Sequence, residues 1–351
     1  MREIIVSASK NYTVRVEAGL LPKAGEMIAE ACGGDLAAIV TDDTVDKLYG
    51  DPVERSLRES GYATTRFVFP HGERSKSMDT YVSLLNALAG AGMTRSDVVV
   101  ALGGGVVGDL AGFAAATYLR GVPFAQIPTT LLAMVDSSVG GKTAVDLAAG
   151  KNQAGAFYQP DVVICDIDAL GTLPNEVFTD GCAEMIKHGV ILSADLFETL
   201  KAPIGHIMED VVARNITIKR DIVAQDERDS GVRQLLNFGH TIGHGVEKHS
   251  GYGMGHGKAV AIGMSVVSRG ASRMGICGED CHLEIVEMLR RYGLPSETAI
   301  SPELLFEAAT HDKKRSGGSV GLILPERIGK CARRSFTMGE LDEFIRLGTR
   351  A

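Results

Sequence analysis

The sequence predicts an α/β protein in two parts, a mainly parallel sheet flanked by helices and then an all-α half. Three observations predict it. Residues 1 to about 160 alternate short apolar runs with helical patterns, a glycine-rich turn joins one such run to an apolar helix, and from residue 161 onward helical periodicity takes over.

In chain order, EIIVSA and YTVRVE read as an early antiparallel pair. LAAIVTD (36–42), YATTRFVF (62–69), DVVVALGG (97–104) and PFAQIPT (123–129) read as buried strands. Between them, 43–60 and 77–92 are helical, the second carrying Leu84, Leu85 and Leu88 at helical spacing. DVVICDI (161–167) is a last strand. Segments 176–192, 205–228, 234–249, 257–274, 281–292 and 302–310 are helical, and only SVGLIL (319–324) resembles a strand. The expected domains are 1–160 and 161–351, with ligands in the cleft between them, beyond the carboxyl ends of the strands.

Composition narrows the function. The 351 residues carry a net charge of −8, which disfavours a general role in gripping nucleic acid or an anionic membrane. Apolar runs are too short to span a bilayer, and MREIIVSASKNYTVRV lacks a signal-peptide pattern. The six cysteines therefore read as reduced thiols and the expected location is the cytoplasm. Cys277, Cys281 and His282 lack a second ligand pair nearby, so they do not read as a metal site.

Gly103-Gly104-Gly105-Val106-Val107-Gly108-Asp109 satisfies G-x-G-x-x-G between a strand and a helix. There, glycines admit a pyrophosphate close to the backbone and a helix start offers oriented N–H donors. The first half is thus Rossmann-like, but with several strands ahead of the turn. Asp42 either accepts ribose hydroxyls or caps the helix starting near Thr44. DSSVGGKT (136–143) resembles a phosphate loop, yet Asp136 stands where that motif requires glycine. It still offers an acid, two hydroxyls and Lys142 on a flexible loop, with Lys151 and Asn152 just beyond, suited to a phosphate-bearing substrate.

In the second half Glu184, His240 and His256 form a set of one carboxylate and two imidazoles, which leaves positions open on a divalent ion. His240 and His244 share a helix face, but Thr241 replaces the glutamate a zinc protease needs. Lys187 lies one turn after Glu184; Lys219, Arg233 and Asn237 lie on or before the next two helices.

These pieces together resemble the 3-dehydroquinate synthase family of sugar-phosphate cyclases. The resemblance runs through HGERSKS (71–77), GGGVVGDLAGFAAATYLRGV (103–122), QIPTTLLAMVDSSVGGKTAVDL (126–147), GKNQAGAFYQP (150–160), GCAEMIKHG (181–189), RQLLNFGHTIGH (233–244) and HGKAVAIGM (256–264). It implies a carbon–oxygen lyase of the shikimate pathway that uses NAD and a divalent metal, zinc or cobalt. The implied substrate is 3-deoxy-D-arabino-heptulosonate 7-phosphate, and the sequence of events is transient oxidation, β-elimination of phosphate, re-reduction and aldol closure.

Carried over position by position, the resemblance implies NAD contacts from Asp42, Glu73, Lys76, Gly105, Val106, Val107, Gly108 and Asp109. Thr129, Thr130, Lys142 and Lys151 join them, as does the segment Ala169, Leu170, Gly171 and Thr172. It implies metal ligation by Glu184, His240 and His256. Substrate and catalytic contacts would come from Asp136, Lys142, Lys151, Asn152, Lys187, Lys219, Arg233, Asn237 and His244. Arg120 is expected to reach the neighbouring site of a homodimer.

Three positions depart from the family pattern: Lys258 replaces a usual Glu, His188 a common Tyr, and Gly321 a basic residue. Lys313 or Lys314 is expected to compensate for the last. The alternatives are another sugar-phosphate cyclase or a metal-dependent polyol dehydrogenase of related fold, although a neutral polyol needs no such lysines.

Overall fold

A computed structural model describes residues 1–251, 253–310 and 318–350. The chain divides into two compact units, Met1–Leu173 with Met208–Arg228, and Pro174–Ile207 with Asp229–Ala351.

The first unit opens with β1 (Arg2–Val6), β2 (Tyr12–Glu17) and α1 (Ala24–Ala31). It continues through β3 (Leu36–Asp42), α2 (Asp51–Glu59), β4 (Ala63–Phe69), α3 (Met78–Gly90), β5 (Val98–Gly103) and α4 (Gly105–Thr117). Then come β6 (Phe124–Pro128), β7 (Lys142–Leu147), β8 (Gly150–Phe157) and β9 (Val162–Asp166). Seven strands form one sheet in the order β1-β2-β9-β6-β5-β3-β4, parallel except for the β1–β2 pair. The expected parallel sheet is therefore present.

Covering both faces explains the unbroken apolar run of β5. Val98, Val100 and Leu102 pack with Ile28 of α1 and Leu57 of α2. Val99 and Ala101 point the other way, to Leu84 and Leu88 of α3 and Leu110 of α4. The chain steps from β3 outward to β4, then crosses back to β5 on the other side of β3. Sheets of this kind bind ligands at such a reversal, beyond the carboxyl ends of the strands. The strand ends flanking it are Asp42 and Gly103.

Two expectations are corrected here. The division falls at Leu173/Pro174, not near residue 160, because β9 pairs in parallel with both β2 and β6. The flexible loop expected after Asp136 is an antiparallel hairpin, β7 with β8, that starts at Lys142. Its glycines read as loop, but Gly155 serves close approach: a Cβ there would sit 2.1 Å from the Thr143 carbonyl oxygen.

The chain next forms α5 (Asn175–Leu192) and α6 (Ala194–Thr199) of the second unit. It returns to the first with α7 (Met208–Gln225), which packs on β1, β2 and a helical turn at Ala133–Ser137. Back in the second unit follow α8 (His240–His249), α9 (His256–Arg273), α10 (Glu279–Arg291) and α11 (Pro302–Thr310). An antiparallel pair, β10 (Ser319–Arg327) and β11 (Lys330–Thr337), and α12 (Met338–Thr349) complete it. The second unit is mainly helical as expected, and β11 extends the one strand read from sequence into a hairpin. Among the described residues no helix is long and apolar enough to cross a membrane.

The single helix expected over 234–249 is broken. Val232–Asn237 is a 3-10 helix, and Gly239 at φ 79° resets the chain before α8 begins at His240. Gly239 is irreplaceable by shape as well, since a Cβ would lie 2.8 Å from the Val260 carbonyl oxygen. Helices α8 and α9 approach at glycine contacts: a Cβ on Gly263 would stand 2.0 Å from the Gly239 carbonyl oxygen. Gly263→Ala should therefore force the helices apart and lower unfolding free energy by about 1–3 kcal/mol. Denaturant melts check this, and a midpoint equal to that of the unaltered chain would refute the packing role.

Candidate functional site

The second unit places the three expected ligands together. Glu184 sits on α5, whose residues Gly181–Ile191 are all buried. Its Oε1 lies 3.7 Å from Nε2 of His240 and 3.8 Å from Nε2 of His256. One ligand atom from each of the three falls within 4.8 Å of the others. Neither Glu184 oxygen accepts a hydrogen bond, although the carboxylate is only 1% exposed; Oε2 is ion-paired with Lys187 one turn along α5.

The tautomers follow from the outer partners. The Phe238 carbonyl only accepts, so His240 Nδ1 carries the proton it donates across 3.1 Å. Nε2 is left as a lone pair aimed at Glu184. His256 Nδ1 likewise lies 3.2 Å from Glu247 Oε1, a carboxylate–histidine pair that frees its Nε2 for a ligand. Burial, aided by Lys187 and the neighbouring imidazoles, holds His240 well below the ordinary histidine value. For His256 burial acts downward too, but the Glu247 hydrogen bond and the charges of Glu184, Glu247 and Asp180 outweigh it and raise its pKa. Surroundings that favour a proton on His256 also favour a metal cation. A buried carboxylate facing the Nε2 atoms of two imidazoles fits a divalent ion.

Glu247 and Asp180 escaped the sequence reading. Glu247 lies three residues after His244 and seven after His240, on the same face of α8, and that spacing was the available signal. Asp180 Oδ1 accepts the Lys258 N–H at 3.0 Å, tying the start of α9 to α5 one turn before Glu184. A Cβ on Gly257 would sit 1.8 Å from the Asp180 carbonyl oxygen, so α9 approaches α5 at a glycine. His244 is exposed on α8, its ring centroid 5.6 Å from that of His240 and 6.3 Å from that of His256. Arg233 is buried in the 3-10 helix and Asn237 is exposed at its end.

Of the positions that depart from the family pattern, His188 is fully buried. Bare Gly321 leaves room for the guanidinium of Arg333 from β11, whose Nε lies 2.6 Å from where a Cβ would stand. Lys313 and Lys314 lie outside the described residues.

The first unit gathers a second set. Gly104 begins α4 without a side-chain cap, so the first N–H groups of that helix are not claimed by one. Lys76 Nζ bonds Asp109 Oδ2 at 2.6 Å and Asn152 Oδ1 at 2.5 Å; Lys151 pairs with Glu73 at 3.5 Å. Burial draws the Lys76 ammonium down, but Asp109, Glu73 and Asp146 outweigh it and hold its pKa above the ordinary lysine value. Asn152, at φ 56°, is pinned by its own N–H to Asp146 Oδ1 at 2.8 Å. Glu73, Lys76, Asp109, Lys151 and Asn152 thus converge. Lys142 does not share their end of the hairpin: it pairs in register with Phe157, whereas Gly150 pairs with Leu147.

Asp42 performs the capping role, its Oδ1 accepting from Thr44 N and Val45 N at 2.9 Å each. Gly105, Val106, Val107 and Gly108 form the first turn of α4, and Thr129 is buried just past β6. Thr130 Oγ1 accepts from Ala133 N at 3.2 Å. Ala169, Leu170, Gly171 and Thr172 lie in a 3-10 turn after β9, where Thr172 Oγ1 meets the Tyr49 hydroxyl at 2.6 Å. Lys219 of α7 is held by Asp136 through Oδ1 at 2.8 Å and the carbonyl at 2.6 Å. Arg120 is exposed within three consecutive positive-φ residues, Leu119 (49°), Arg120 (69°) and Gly121 (115°).

Comparison with known proteins adds the family context. Residues 66–180 match the family "3-dehydroquinate synthase N-terminal" and residues 181–315 match "3-dehydroquinate synthase C-terminal". The 3-dehydroquinate synthase of Streptococcus suis (strain 05ZYH33) is 42% identical over 344 residues, covering 96% of this chain and 97% of its own. A crystal structure of 2-deoxy-scyllo-inosose synthase complexed with carbaglucose-6-phosphate, NAD+ and Co2+ superposes with TM-score 0.88 at 25% identity, covering 98% of this chain and 99% of that one. The 2-epi-5-epi-valiolone synthase of Streptomyces hygroscopicus subsp. jinggangensis 5008, with NAD+ and Zn2+ bound, gives 0.86 at 28% identity, covering 98% of each.

The carboxylate behind His256 generates a direct test. Glu247→Gln should weaken binding of a divalent ion by roughly 10–100-fold with the fold retained, because the imidazole loses the negative charge of its carboxylate partner, which raises its basicity as a ligand. Titration calorimetry reads the affinity and circular dichroism the fold; unchanged affinity would remove Glu247 from the centre.

Proposed function

Because the chain belongs to the 3-dehydroquinate synthase family, we propose that it converts 3-deoxy-D-arabino-heptulosonate 7-phosphate to 3-dehydroquinate and phosphate in the cytoplasm. The observation that carries this reading is the buried Glu184 carboxylate facing the Nε2 atoms of His240 and His256. The 42% identity to a synthase of that name, against 25% and 28% to the inosose and valiolone cyclases, favours it over the related cyclases.

Glu184, His240 and His256 would hold the divalent ion, and the uncapped start of α4 would hold the NAD pyrophosphate. When bound, the ion supplies Lewis acidity toward a hydroxyl and NAD supplies reversible hydride acceptance. The protein does the rest. Lys187 balances the Glu184 charge, and Glu247 and the Phe238 carbonyl fix the imidazole tautomers. Lys76, kept charged beside Asp109, positions Asn152. Lys151 and Asn152 bind phosphate from one end of the β7–β8 hairpin, Lys142 serves the substrate from the other end, and Arg333 supplies the cation that Gly321 lacks. Arg233 or Lys219, the latter oriented by Asp136, holds the substrate carboxylate while Asn237 accepts hydroxyls. Exposed His244 moves the proton. The backbone strain at Leu119–Gly121 presents Arg120 outward, as a residue serving the partner of a homodimer must be.

Released inorganic phosphate with no net accumulation of NADH is the expected outcome with the heptulosonate phosphate. Stoichiometric NADH from a neutral polyol would instead identify a dehydrogenase. A chelator should abolish phosphate release, and activity that persists after metal removal would overturn the ligand assignment. His244→Ala should lower turnover by roughly 100-fold or more while leaving NAD affinity near that of the unaltered chain. Unaltered turnover would exclude His244 as the proton mover.

A further inference from the structure

Two sets of one carboxylate and two imidazoles lie side by side in the second unit. Glu184, His240 and His256 form the first. His244, Glu247 and His256 form another, in which one ligand atom from each residue again falls within 4.8 Å of the other two. His244 and Glu247 are three residues apart on α8 and so share a face, and that face meets His256, the first residue of α9.

The second set has the spacing of a coordination shell. Glu247 Oε1 lies 3.2 Å from His256 Nδ1. Bonds of roughly 2.0–2.2 Å to zinc place neighbouring donors of a tetrahedron about 3.3 Å apart, so this pair already stands at that spacing. The His244 ring, its centroid 6.3 Å from that of His256 and tilted by 33°, forms the third side. Glu247 is only 3% exposed whereas His244 is exposed, so the carboxylate is held in place and an ion can arrive from solvent. One imidazole serves both sets by opposite edges: Nε2 lies 3.8 Å from Glu184 Oε1, and Nδ1 faces Glu247.

We propose that His244, Glu247 and Nδ1 of His256 bind a second divalent ion, and that this ion inhibits the enzyme. Two imidazoles and a carboxylate suit zinc or cobalt over magnesium or calcium, which favour shells of oxygen. Uptake at Nδ1 displaces the proton of the Glu247 contact to solvent, and the ring then bridges the two ions. The second ion meets the charge of the first across that ring, so it binds more weakly, by about tenfold or more. It also withdraws two groups from the reaction proposed above: Glu247 from behind His256, and His244 from moving the proton. The inhibition rests on that reading; the uptake of a second ion rests on the geometry alone.

The test loads the full chain with one equivalent of Zn2+, titrates further Zn2+ in equilibrium dialysis, and follows phosphate release from the heptulosonate phosphate over the same range. The expected result is a second equivalent bound per chain and a fall in turnover of roughly 10–100-fold as it binds, reversed on dilution. His244→Ala should lose the second equivalent and keep the first. His249→Ala, which alters an exposed histidine at the far end of the same helix, should keep both. With Co2+ in place of Zn2+, filling the second set should change the visible absorption of the first ion, because the shared ring changes as a ligand. Saturation at one equivalent, a second equivalent that survives His244→Ala, or an unmoved Co2+ spectrum would overturn the proposal. Two equivalents bound with undiminished turnover would overturn the inhibition and, with it, the proton role of His244. A chain that binds no ion would instead sink the ligand assignment of both sets.

Discussion

A carboxylate at 1% exposure that accepts no hydrogen bond is the demand around which the second unit is organised. Burying an ionised carboxyl costs several kcal/mol even after the protein relaxes. Lys187 neutralises the charge of Glu184, but one ammonium leaves most of the carboxylate's four lone-pair sites unanswered. The nearer imidazole, His240, turns a lone pair toward it, because the Phe238 carbonyl claims its Nδ1 proton, and Glu247 engages Nδ1 of His256 from the other side. Beside the Lys187 ion pair, the carboxylate oxygen facing the two imidazoles makes a donor set that suits a divalent cation.

Bringing three helices close enough to make that point depends on missing side chains. Gly263 lets α9 meet the backbone of α8 at Gly239, and Gly257 lets the start of α9 meet α5 at Asp180. The break at Gly239 makes His240 the first residue of α8, where the chain still has room to turn the imidazole onto the Phe238 carbonyl. Backbone spacing and ligand geometry are therefore one constraint.

Much of this was legible in the sequence, for reasons that differ between the halves. The β5 run VVVALG and its glycine turn announce a strand buried on two faces and a helix start open to phosphate, and both are where the pattern put them. Glu184, His240 and His256 were recognisable from the family motifs that carry them. What was hidden depends on tertiary pairing. Strands β7 and β8 read as loop because their glycines serve cross-strand approach. Glu247 had a face-sharing spacing on α8, but its partner His256 lies on another helix. Helix α12 was overlooked although Thr337 and Glu340 make a capping box readable as T-x-x-E. Asp42 was left between two roles, and the amides of Thr44 and Val45 show it capping.

The chain's route has a consequence for how the protein is made. All seven strands of the main sheet precede Pro174, yet α7, which packs on β1 and β2, is delivered only after α5 and α6 of the other unit have been translated. At roughly 5–20 residues per second the emerging sheet waits on the order of seconds with that surface bare. A nascent chain stalled before Arg228 presents an unfinished first unit, and severing the gene at residue 173 cannot yield two self-sufficient products. The two units mature as interleaved segments of one translation event.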